Sequence, residues 1–247
     1  MVGVRRSCPS SATSGTPFTS LVDDDGIVRN ENARGKICVR PTHGSVKSLV
    51  PFTTTIVACV LAYVWLIEPI VPRSVVAVPA AVLVILTAWH DLRHGEWGFS
   101  GSALVPGLWR ALAVTFVAVL LIIGAGAAIG TLHDRRDFLG SLAPLVLWGG
   151  AQQWILQTVV LREAQRASSR AKGIVIAAVL FGTIHVPNPL LTPLTAAAAL
   201  IWCRLYDRNP NIIPLALSHG LGTLALRYAF DETIIGHLRI GAAYLRQ

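Results

Sequence analysis

The stretch GIVIAAVLFGTIHVPNPLLTPLTAAAALIWC, Gly173 to Cys203, contains no charged residue. As one helix at about 1.5 Å per residue it overruns a hydrocarbon core of about 30 Å, and as two helices each is slightly short of a full crossing. Pro187 and Pro189 decide between these readings. Proline removes a backbone donor and drives the residue before it out of helical geometry. The stretch therefore reads as two helices joined by a tight turn at Asn188.

Similar apolar runs flank it on both sides. Phe52–Val71, Ser74–Trp89, Leu108–Leu132, Leu142–Leu161, Gly173–Pro187, Leu190–Leu205 and Ile212–Phe230 form a series, each near the length needed to cross a bilayer. The expected fold is all-α, a polytopic transmembrane bundle of about seven helices. Composition agrees, since 53% of the 247 residues are apolar and 14% charged, far from the balance of soluble domains. A net charge of +8 would suggest nucleic acid in a soluble protein. Here the basic residues fall between apolar runs, where they orient a chain against anionic lipid, so the bilayer is the expected partner and nucleic acid is not.

Residues 1–48 differ. SCPSSATSGTPFTS and VDDDGIVRNENARGK have no periodic apolar face and bury too little to offset the entropy of ordering. They read as a flexible N-terminal tail before a transmembrane domain over 49–247. Arg5 and Arg6 are not followed by the apolar segment of a signal peptide. Arg162, Arg166, Arg170 and Lys172 share one loop, Arg204 and Arg208 another, and the turn at Asn188 carries no charge. That pattern favours the N-terminus inside, with Arg135, Arg136, Arg227, Arg239 and Arg246 on the disfavoured side.

Polar groups inside spans are costly and usually face a bundle interior. Three sets stand out. Gln152, Gln153 and Gln157 lie on one span, the last two an interval of four apart and so on one helix face. His185 ends the next span, and His219 lies within the last, with Thr223 one turn on. All are expected to face one interior cavity. The remaining histidines, His43, His90, His94, His133 and His237, fall in the tail or loops and read as solvated. Glu163, beside Arg162, Arg166 and Arg170, reads as a solvated ion pair at a helix end. Trp154 reads as packing, and Gly149, Gly150, Gly220 and Gly222 as small residues that let helices approach. The four cysteines, Cys8, Cys38, Cys59 and Cys203, have no CxxC spacing. His185, His219 and Cys203 lack the close pairing of an HExxH set, so neither metal nor cofactor is expected.

The three polar sets resemble the motifs of the CPBP family of intramembrane proteases, the CAAX-prenyl-protease and bacteriocin-processing group. That family carries Glu-Glu-x-x-x-Arg, then Phe-x-x-x-His, then His-x-x-x-Asn or Asp. Phe181 and His185 fit the second motif. His219 fits the third, with Thr223 at the Asn position. Gln152, Gln153 and Gln157 fall on the first, with glutamine at all three places. The resemblance covers 142–230. It implies a glutamic-type intramembrane endopeptidase of the bacterial plasma membrane, acting on hydrophobic or lipidated peptides or membrane proteins, with catalytic positions at Gln152, Gln153, Gln157, His185, His219 and Thr223.

Glutamine cannot serve as a general base near neutral pH, although it keeps the size and hydrogen-bonding capacity of glutamate. Three readings follow. The chain cleaves peptides through an imidazole, which titrates near neutrality. Alternatively it is a catalytically silent relative that binds a peptide, a lipid or a partner helix in the same cavity, or a small transporter or assembly subunit with Gln and His between its helices.

Overall fold

The computed structural model describes residues 20–22, 28–31, 37–39, 51–72, 75, 77–133 and 138–246. It divides into two units, 1–47 and 48–247. In the first, β1 (Ser20–Val22), β2 (Val28–Glu31) and β3 (Ile37–Val39) pair as an antiparallel sheet in the order β1-β2-β3, with Leu21 opposite Arg29 and Asn30 opposite Cys38. The expectation of a tail over 1–48 otherwise falls outside the described residues, as does His43.

The described part of the second unit is helical. Its elements are α1 (Pro51–Ala62), extended by a π-helical stretch at Tyr63–Ile67 and a 3-10 turn at Glu68–Ile70; α2 (Ala77–His94); α3 (Gly101–Ile129); α4 (Phe138–Trp154); α5 (Arg162–Ala167); α6 (Arg170–Thr183); α7 (Leu191–Arg208); α8 (Ile212–Ala229); and α9 (Gly241–Leu245). A π-helical stretch at Ile155–Leu161 joins α4 to α5 in one continuous rod. Each expected apolar run falls on a helix, but seven full-length spans are not what the described residues supply. Two helical segments, Phe52–Ile70 and Gly101–Ile129, are long and apolar enough to cross a membrane. The others fall short for physical reasons. α6 has 14 residues, about 21 Å of rise, and α2 and α7 end in charged turns. The outer surface is apolar, with Leu66, Trp109, Leu121 and Leu147 all more than two-thirds exposed, as lipid contact requires and water disfavours.

Local chemistry sets the breaks. α3 stops at Gly130, whose φ of 75° is open to glycine, and the amide of Thr131 closes on the Gly126 carbonyl. Ser169 and Asn211 cap α6 and α8 by accepting from the Lys172 and Ile213 amides. The turn expected at Asn188 is there. The fully buried Asn188 side chain accepts from the Leu190 and Leu191 amides and donates to the carbonyls of Ile235 and Arg239. One amide thus starts α7 and pins the segment after α8. The Gly241 amide adds a bond to the Val186 carbonyl at 2.9 Å. α8 sits at the centre of the domain, packed on α3 and α4, while α6 and α7 pack as a pair. The core lies among Leu156, Phe181, Trp202, Tyr206 and Leu215.

A second buried anchor corrects two expectations. Glu163 and His90 are not solvated, each being 3% exposed. Glu163 accepts from the Thr53 amide at 2.9 Å, and its other oxygen lies 3.4 Å from His90 Nε2 in ion-pair range but outside hydrogen-bond geometry. His90 Nδ1 lies 3.1 Å from Asp91, and Asp91 accepts from the Trp154 indole at 2.7 Å. Phe52 stacks on the His90 ring. The cluster ties the start of α1 and the end of α2 to the α4–α5 rod, and gives Trp154 a polar tether beyond packing.

Candidate active site

A cavity of about 420 Å³ lies between α3, α4, α7 and α8. Gln152, His185, His219 and Thr223 line it. A smaller cavity of about 140 Å³ lies toward α1 and α2, and Trp148, Gln152 and His185 border both. Gln153 and Gln157 do not line either one. They are fully buried behind His219: Gln157 donates to Gln153 at 3.0 Å, and the Gln153 amide nitrogen lies 3.3 Å from His219 Nδ1. The expected set of six therefore separates into four cavity-lining groups and a relay of two at their back. The close glutamine pair is 153 with 157, as the interval of four dictates.

The two imidazoles are held in opposite senses. His185 Nδ1 lies 2.7 Å from the Phe181 carbonyl oxygen. A carbonyl only accepts, so Nδ1 carries the proton and Nε2 of the neutral ring is left as an acceptor. For His219 the assignment follows from the network. Gln153 Oε1 accepts from Gln157, which leaves the Gln153 amino group to donate to His219 Nδ1 and puts the ring proton on Nε2. Phe181 sits beside both rings, its centroid 5.0 Å from His185 and 6.2 Å from His219. Trp202 stacks on His219 at 4.8 Å, and its indole donates to Ser218, which also accepts from Thr115.

Trp202, Ser218 and Thr115 escaped the sequence reading. An isolated Trp, Ser or Thr in an apolar helix carries no periodic signal, and only the adjacency of Ser218 to His219 hinted at one of them. Among the described residues no Asp or Glu lines the cavity, and no group of three His, Cys, Asp or Glu side chains is arranged to hold a metal ion.

Gly149 is what lets α4 meet His219. A Cβ there would lie 2.9 Å from His219 Cγ and 3.0 Å from its Cβ. Gly149→Ala is expected to destabilise the fold by about 1–3 kcal/mol as the ring is pushed aside, read from unfolding in detergent. Gly222→Ala is the control, because a Cβ there meets nothing within 4 Å.

No curated protein and no solved structure matches the chain. One family model does, over residues 134–225, described as type II CAAX prenyl endopeptidase Rce1-like. The match spans α4 to α8 up to Ala225 and includes all six sequence-chosen positions. Residues 134–225 are thus similar to the Rce1-like type II CAAX prenyl endopeptidases, over less than half of the 247-residue chain.

Proposed function

We propose that this chain is an intramembrane endopeptidase in which a histidine pair performs the hydrolysis, with glutamine at the family's glutamate position. The observation that carries the reading is the opposite polarity of His185 and His219 on one cavity. His185 Nε2 takes a proton from a water molecule, whose oxygen attacks the peptide carbonyl carbon. The developing oxyanion accepts from His219 Nε2–H. The tetrahedral species then collapses with loss of the C–N bond, and the His185 imidazolium returns its proton to the leaving amine. Gln152, reaching both cavities, orients the water or the peptide, and Thr223 adds a hydroxyl donor. An apolar cavity wall suits a hydrophobic or lipidated peptide.

One observation favours a second reading, a silent relative that binds a peptide, a lipid or a partner helix. No carboxylate lines the cavity among the described residues, so the strongest base of the family is missing there. Purified chain in neutral detergent, given prenylated and unprenylated hydrophobic peptides, separates the two by mass spectrometry. Cleavage at a defined bond supports hydrolysis. Intact peptide that still binds would overturn it in favour of the silent reading.

A further inference from the structure

A third cavity, of about 680 Å³, lies at the end of the domain where α8 runs out, and it has no part in the proposed hydrolysis. Arg227, Arg239 and Arg246 line it, with Glu68, Glu232 and His237. Glu232 is occupied by His237 at 2.7 Å. Arg246 reaches the Pro69 carbonyl. Among the described residues no carboxylate lies within ion-pair distance of Arg227 or Arg239, and both are half-buried. Half-buried guanidiniums outside ion-pair distance of a carboxylate are costly, and their fork of donors matches an oxyanion of phosphate geometry.

The level of this cavity identifies the source of such an anion. The apolar segment Phe52–Ile70 ends on its wall at Glu68 to Pro72. The other apolar segment, Gly101–Ile129, ends beside Arg227, since the His133 amide bonds to the Tyr228 carbonyl and Thr131 to that of Ala229. Both long apolar helices thus leave the hydrocarbon at the height of the arginines. Leu66, Ile67, Ile70, Ile234 and Leu245 are exposed around them. We propose that Arg227, Arg239 and Arg246 bind the phosphate of a phospholipid carrying net negative charge, at the membrane interface. The bound headgroup bridges α8 to the segment after it, which supplies Leu238 to this cavity and to the 420 Å³ cavity of the proposed hydrolysis.

The test is a melting measurement on the full chain in neutral detergent with phosphatidylglycerol, phosphatidylcholine or inorganic phosphate added. Phosphatidylglycerol is expected to raise the melting temperature by about 5 °C or more over phosphatidylcholine at saturation, with no rise from phosphate alone. R227Q/R239Q is expected to lose that difference, and R227K/R239K to keep part of it. If the double glutamine variant does not fold, R227Q and R239Q singly are each expected to show a reduced rise. Equal response to the two lipids, or an undiminished rise in the glutamine variants, overturns the site. A full rise from inorganic phosphate overturns the lipid as its occupant. None of these outcomes depends on hydrolysis.

Discussion

His185→Ala is expected to lower turnover of a cleaved peptide by about two to four orders of magnitude, the range for loss of a positioned general base. KM should change little, because the ring lines a cavity whose other walls remain. His219→Ala is expected to cost about two to three orders, the scale of one oxyanion donor. His219→Gln, which keeps an N–H donor, should recover part of that loss, whereas His185→Gln should recover none. The combined variant should lose little more than the worse single one, since both groups act in one step. Steady-state kinetics on the same lipidated peptide decides it. Full activity in the variant lacking both rings would remove the site from these residues.

The second large effect is on stability. Glu163→Ala is expected to cost about 3 kcal/mol or more, because it leaves the Thr53 amide without its acceptor and His90 without one of its two carboxylates in a nearly water-free place. For a domain of this size that is a fall of roughly 6–12 °C in melting temperature. Glu163→Gln keeps an oxygen for Thr53 and should cost clearly less. Circular dichroism or a thiol-free fluorescence melt in detergent reads both. An unchanged melt for Glu163→Ala would show that α1 and α2 are held by apolar packing alone.

The break at Asn188 was legible because two prolines within three residues leave few choices, and the cavity residues were legible because an imidazole among apolar neighbours needs a reason. The Glu163–His90–Asp91 anchor was not. In a sequence, LREAQR and WHDLRH have the look of water-facing helix ends, and only the packing of α1 against them removes the water. The relay of Gln153 and Gln157 was half legible: their interval put them on one face, but nothing in the spacing said that this face turns toward the back of His219 and away from the cavity. The ends of the apolar runs were less legible than their centres: the run read from Gly173 to Pro187 lies on α6, which starts at Arg170 behind its Ser169 cap and ends at Thr183.

The π-helical stretch at Ile155–Leu161 explains why glutamines and Glu163 on one rod serve different neighbours. On an unbroken α-helix, residues 152 and 163 are 11 positions apart, close to three whole turns at about 100° per residue, and would point the same way. Wider i to i+5 turns lower the angle per residue and shift the phase of everything beyond them. The carboxylate is thereby dialled toward α1 and α2, while Gln153 and Gln157 stay toward His219 on α8 and Gln152 borders the cavities on both sides. The segment works as a fixed phase offset along a single shaft. Substitutions leave that offset alone, and gaining or losing one residue resets it, so chain length here is a coding variable in its own right.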